Sequence, residues 1–213
     1  MLSLDHAFII TEPGADAASR LIDFGFVEGS SNVHPGQGTA NRRFFLNGFT
    51  LELLYIDNAE EAASGAGRRL GILNRFNDPT TCPFGIVVRV SVGSPSPSFP
   101  HWQYYPEYFD ETMCFFVGAN SEQLAEPLCI CMPPSLPLPV NVPIEQSNAE
   151  YQLTALELSL PVEHPSPVLE HFAAMNMLDM NYSRPYRMTM TLNNGSSGKS
   201  ENLAPDLPLV LKW

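Results

Sequence analysis

His6 and Glu52 are the two side chains whose setting most suggests chemistry. Glu52 interrupts the apolar run TLELLYI, between Leu51 and Leu53. A carboxylate in such a strand is costly to bury unless it is paired or metal-bound. His6 shares one strand face with Leu4 and Phe8 in LDHAFII. If the two strands are neighbours, imidazole and carboxylate converge. A nitrogen–oxygen pair of this kind suits one divalent Fe, Mn, Ni or Zn ion. Without a metal, the same two groups would hydrogen-bond each other or a ligand. A buried Glu52 with a raised pKa would also shuttle a proton.

A second constellation is HPGQGTAN, from His34 to Asn41. Gly36 and Gly38 allow backbone conformations closed to other residues. Exposed amides there, with His34, Thr39 and Asn41, could hold a carboxylate or carbonyl. The plainer reading is a hairpin tip in which Asn41 satisfies local backbone. His101 to Phe109 is dense in aromatics. Trp102 would either line or lid a ligand site, or anchor the loop on the core. Cys129 and Cys131 fall on one strand face, which reads as two small buried hydrophobes or, less simply, as a metal clip. GSSGKS near the end resembles the tail of a phosphate-binding loop, but Asn193 stands where that motif needs glycine, and prolines follow it. No GxSxG occurs.

The elements that would position these residues are readable. Leu4 to Ile10 alternates as a strand does. Ala17, Leu21 and Phe24 share a helical face, and Gly25 is placed to end the helix. Phe26 opens an extended piece, Arg43 to Leu46 a third strand, Asn47-Gly48 a hairpin, and Thr50 to Ile56 a fourth strand. Residues 1–57 thus read as a βαβββ module. Residues 58–133 read as a degraded middle copy: helix or loop, the strand FGIVVRVSV, the aromatic loop, then two strands. Residues 134–149 read as a proline-rich linker. Residues 150–213 read as a last βαβββ-like module: a strand from Leu153, a helix from Pro167 to Met175, and strands from Tyr186 and from Leu207. A shift of 151 residues lays Leu21 to Phe26 on Phe172 to Met177, and places Glu157 where His6 stands. Glu157 is therefore a second candidate proton carrier. Val210 falls where a partner for Glu52 belongs, so only half a metal site is visible.

Composition narrows the partners. Hydrophobic residues make up 44% of the chain and charged residues 16%, which argues for a packed globule. The net charge is −12, with Arg42-Arg43 and Arg68-Arg69 the only basic clusters. That pattern argues against nucleic acid and against an anionic membrane surface. The opening MLSLDHAFII lacks a basic n-region, no run approaches a membrane span, and four cysteines without a secretory context fit reduced thiols in a cytoplasmic setting.

LDHAFI, the short helix ending DFGF, HPGQGTANRRFF and TLELLYI together resemble the glyoxalase-like branch of the vicinal oxygen chelate superfamily. The resemblance is closest over residues 2–57. It implies an α+β fold of repeated βαβββ modules whose mixed sheets curl around a cavity. It also implies a divalent ion held by ligands from the first and fourth strands, here His6 and Glu52. The superfamily hosts lyases, isomerases and dioxygenases acting on small oxygenated metabolites through carbonyl or enediolate chemistry, and drug-sequestering proteins that catalyse nothing. Both classes are open expectations here, with a small molecule as the partner. The exposed β edges of such modules also allow a homodimer.

Overall fold

The alternation of the first segment forms β1 (Leu2–Ile10), followed by α1 (Ala18–Phe24), β2 (Asn32–His34), β3 (Thr39–Asn47) and β4 (Phe49–Ile56). Gly25 caps α1 at a φ of 114°, as expected of a glycine in that place. The Asn47-Gly48 hairpin forms, with Leu46 opposite Phe49. The second extended piece begins at Asn32 rather than Phe26. This computed structural model describes residues 2–64, 66–90, 96–133, 143, 147–176 and 178–213. Most of the proline-rich linker, the end of FGIVVRVSV, and Met177 lie outside the described residues.

Two short helices follow, α2 (Ala59–Ala63) and α3 (Ile72–Asn77), then β5 (Phe84–Val90), β6 (His101–Tyr104), β7 (Phe115–Gly118) and β8 (Leu128–Met132). His101 to Tyr104 is thus a strand and not part of a loop. It pairs antiparallel with β7, which gives its aromatic side chains fixed faces.

The last third holds β9 (Ser147–Ser159), α4 (Pro167–Ala173), β10 (Leu178–Asn181), β11 (Arg187–Leu192), β12 (Ser200–Asn202) and β13 (Leu209–Lys212). One sheet path runs β12-β13-β11-β9-β3-β4-β1-β5-β8-β7-β6, with β2 beside β3 and β10 beside β9.

Pairing identifies the repeat. β1 runs parallel to β4, and β4 antiparallel to β3, which pairs with β2. β5 likewise runs parallel to β8, which is antiparallel to β7, which pairs with β6. The two units join through antiparallel β1 and β5. In the last third, β9 pairs with β10 and β11, and β13 pairs with β11 and β12. The first-with-fourth pairing of β1 and β4 therefore recurs in the middle of the chain, among the described residues, and not in its last third.

Strands β1, β4, β5 and β8 contribute to two cores, one on each face of the sheet. Ala7, Ile9, Leu51, Leu53, Ile86, Val88, Cys129 and Cys131 pack outward. Phe8, Leu54, Val87, Leu128 and Met132 pack on the inner face. Each fully buried Leu, Ile or Phe side chain contributes roughly 1.5–3 kcal/mol through area removed from water. α1 covers the outer face of the first unit with Ala18 and Leu21. Among the described residues between β5 and β6 there is no helix. Instead α4 supplies Val168, Leu169 and Phe172 to the same outer core. It rests on Gly118, where an added Cβ would lie 2.8 Å from Val168.

A buried polar network fixes α4 there. Glu126, 1% exposed, accepts hydrogen bonds from the Ser166 backbone N–H and hydroxyl and from Asn120 Nδ2. Ser166 Oγ in turn caps the helix at Leu169. Beside it the buried Arg75 guanidinium donates to the carbonyls of Cys82, Ser121, Leu124 and Glu126. Asn148 plays a similar part on the other side, bridging β9 to Val27 and to Phe45 of β3.

Candidate functional site

The inner faces of the two units line a half-open cavity of about 720 Å³, within the range of small-molecule sites. Period-2 alternation delivers the lining: Arg43 and Phe45 from β3, Thr50, Glu52 and Leu54 from β4, Val87 and Arg89 from β5, and Leu128, Ile130 and Met132 from β8.

β1 departs from strict alternation at a β-bulge. Leu4 lies opposite Val88 and His6 opposite Val87, so Asp5 is the extra residue. A bulge re-aims side chains, and here the consecutive Asp5 and His6 both line the cavity. Two residues further along β1, Phe8 lies opposite Gly85. A Cβ at position 85 would sit 1.9 Å from the Phe8 ring, so only glycine admits this floor.

The charged side chains form a row across four strands. Arg43 lies directly opposite Glu52, and Glu52 pairs with Phe8, two positions along β1 from His6. Asp5 accepts a hydrogen bond at 2.5 Å from His6 Nδ1 and is ion-paired with Arg89. Burial opposes ionisation of Asp5, but His6 and Arg89 hold its carboxyl below the ordinary value. Burial also opposes charge on His6, yet Glu52 and Asp5 outweigh it and raise the imidazole pKa. With Nδ1 committed to Asp5, Nε2 is the ring nitrogen left for a ligand.

The glycine-rich turn closes one side. His34 lines the cavity, packs against the Tyr108 ring at a tilt with centroids 5.1 Å apart, and shares a 2.9 Å hydrogen bond with Thr39 Oγ1. Burial drives its pKa down. Gln37 donates to Thr39 Oγ1 and accepts from the hydroxyls of both Tyr104 and Tyr108. Burial and the Glu107 charge push Tyr104 up to about 12, and burial raises Tyr108 as well, so both phenols stay donors.

The residues singled out from sequence fall into two groups. His6, Glu52 and His34 line the cavity. Thr39, Asn41, Trp102 and Glu157 do not. Thr39 is fully buried beneath His34 and Gln37. Asn41 accepts from the Asn32 backbone N–H and donates to Glu52 at 2.9 Å, so it stiffens the hairpin and steadies the carboxylate. The amides of the turn are spent inside the protein: Gln37 and Gly38 donate to the His34 carbonyl, and Gly36 to Glu61. The turn is therefore a support, not an anion cradle. Trp102 donates to Ser121 and lies 4.2 Å below the Arg69 guanidinium, outside the lining. Its neighbours Tyr104, Tyr108 and Phe109 line the cavity instead. Glu157 sits on β9 between β10 and β11, because the last third is not the second half of the cavity.

Sequence reasoning missed Asp5, Arg43, Gln37 and Arg89. Arg89 had a signal: it is a charge inside the apolar strand FGIVVRV, the same anomaly that marks Glu52.

The donors do not fit a resident dication. His6 and Glu52 are the two candidate ligands, and the second unit meets them with Val87, Leu128 and Ile130. Arg43 stands opposite Glu52, and Arg89 holds Asp5. Among the described residues no group of three or more His, Cys, Asp or Glu side chains is arranged to hold a metal.

Known proteins provide the remaining comparison. Residues 4–92 match a family model described as a glyoxalase-like domain. The crystal structure of a hypothetical protein from Staphylococcus aureus is similar over 100% of this chain and 98% of its own, with a TM-score of 0.60 and 10% identity. A mutant 4-hydroxymandelate synthase from Streptomyces coelicolor aligns with 98% of this chain and 61% of its own, with a TM-score of 0.49 and 11% identity. At such identities likeness shows the fold alone. No curated protein matches the sequence.

Proposed function

We propose, from the premise that residues 4–92 form a glyoxalase-like domain, that this chain binds a small oxygenated molecule with an apolar body in its central cavity. The observation that carries this reading is the division of one half-open cavity into two walls. Asp5, His6, Arg43, Glu52 and Arg89 offer a ligand polar partners on one side. Val87, Leu128, Ile130 and Met132, with Phe109 and Phe115, offer it apolar contact on the other. Such a cavity orients an amphipathic compound, because burying its polar end against the apolar wall would leave hydrogen bonds unmade.

The test is thermal stabilisation by a panel of aryl and alkyl ketones, hydroxyketones and keto acids. Binding to the native state raises the midpoint in proportion to the logarithm of ligand concentration. Ile130→Trp, which fills the cavity from its apolar side, abolishes the response without lowering the unliganded midpoint. A panel that shifts neither protein rejects the reading.

The Asp5–His6 pair favours a second reading, in which the bound molecule also undergoes proton transfer. An imidazole held at Nδ1 by a carboxylate is oriented to give a proton from Nε2 to a carbonyl oxygen. Glu52 would remove the proton from the adjacent carbon, so that one C–H bond breaks, one O–H bond forms, and a ketone becomes its enol. Deuterium uptake at that carbon in D2O, followed by proton NMR, measures the step. Exchange that is lost in Glu52→Gln and slowed in Asp5→Asn supports it. Binding with no catalysed exchange leaves the protein a non-catalytic receptor.

A further inference from the structure

Aromatic rings are concentrated in the lining of the cavity. Six of its 23 described lining residues are Phe or Tyr, against 10% aromatic residues in the chain, so the enrichment is local. Four of the six come from one stretch. Tyr104 stands on β6, Phe115 on β7, and Tyr108 and Phe109 on the connection between them. These four form an unbroken run of ring contacts. Tyr104 stacks with Phe115 at 6.3 Å between centroids, their planes 20° apart. Phe115 meets Phe109 at 5.1 Å, and Phe109 meets Tyr108 edge to face at 5.0 Å. His34 extends the run from Tyr108. The two remaining rings, Phe8 and Phe45, enter from β1 and β3.

Gln37 closes the run into a circuit. Its Oε1 accepts from the hydroxyls of Tyr104 and Tyr108, and its Nε2 donates to Thr39. Each tyrosine has thus spent its one proton inside the protein. What it has left for a ligand is chiefly ring surface. The circuit also fixes the rings before a ligand arrives, which spares the cost of ordering them on binding.

We propose that the apolar body of the ligand is an aromatic ring, seated against Tyr104, Tyr108, Phe109 and Phe115. This rests on the reading that the cavity binds a small oxygenated molecule, and narrows it. A ring packed against rings gains from face and edge electrostatics beyond the area it buries. A saturated body of equal carbon count has no such gain. Val87, Leu128 and Ile130, which share the lining, offer contact to either body and do not discriminate.

Calorimetry with two ketones tests this: benzylacetone, and the same ketone with its ring saturated to cyclohexyl, each titrated into the whole protein. The carbonyl and its linker are identical, so the polar wall cancels from the comparison. The cyclohexyl ketone carries more apolar surface, and area burial alone makes it the tighter binder. Benzylacetone instead binds about threefold to tenfold tighter. Phe115→Leu and Phe109→Leu each bring the ratio toward one, whereas a merely structural role would weaken both ketones alike. A ratio at or below one in the native protein overturns the aromatic body, as does a ratio that neither variant lowers. Either result leaves the cavity reading standing. Binding of neither ketone also overturns the aromatic body, and the cavity reading falls with it if the whole ketone panel fails.

Discussion

The two halves of the cavity share a pairing scheme and almost nothing else. In residues 2–56 the inward positions carry Asp5, His6, Arg43, Glu52 and Thr50, whereas in 84–132 all but Arg89 are apolar or aromatic. The outer faces differ in the opposite sense: the first unit has its own helix, while the second borrows α4 and contains Cys114, Cys129 and Cys131, with Cys82 just before it. Duplicated backbone geometry therefore does not duplicate chemistry. A divalent site built from first and fourth strands of both units needs donors from both. Here the second unit answers His6 and Glu52 with hydrocarbon.

The largest expected effect breaks the borrowed helix. Glu126→Ala removes the acceptor that holds Ser166 and Asn120 beside the buried Arg75, and it should cost about 3–5 kcal/mol in urea unfolding. A loss below about 1 kcal/mol would mean that α4 covers the second unit by apolar contact alone. Next comes the seam between the halves. Gly85→Ala drives a methyl into the Phe8 ring and should cost about 1–3 kcal/mol, with Phe8→Leu restoring part of it. Unchanged stability would show that the seam is looser than the 1.9 Å approach implies.

The thiols sharpen the contrast of outer faces. Burial lifts Cys82 from 9.0 to about 12 and Cys131 to about 11, and raises Cys129. Folding thus favours the protonated thiols. Their contribution is complete below pH 9 and is lost as pH climbs toward 12, with Tyr104 adding to the same trend. The melting temperature should fall across that window, and less steeply in Cys82→Ala. Equal slopes in the two proteins would remove Cys82 from the explanation. The smallest effect is the absence of one: Mn, Ni, Zn or ferrous iron should leave the melting temperature unchanged, and a concentration-dependent rise would restore the metal.

Much of the first unit was legible because its signals are local. Alternation in LDHAFII, Gly25 after the helix, the Asn47-Gly48 turn and the lone carboxylate in TLELLYI each act within a few residues. His6, Glu52 and His34 follow from them. Asp5 was not legible, since strict alternation puts it on the opposite face and only the bulge turns it inward. The second unit reads in sequence as a degraded copy because the helix that covers it comes from 40 residues beyond Glu126. The last third looked like a repeat by spacing, but strand pairing is set by contacts far apart in sequence, and these place Glu157 away from the cavity.

The origin of α4 has a consequence for the order of synthesis. Residues 2–56 emerge with their own helix, so the charged wall, Arg89 apart, can be assembled early. Residues 84–132 emerge without one, and their outer core stays open to water until Ser166 and the helix behind it arrive. A nascent chain halted after residue 133 should accordingly be cut by protease throughout its second unit while its first unit survives, so that the half with the polar groups waits in the cell for the half that shelters them.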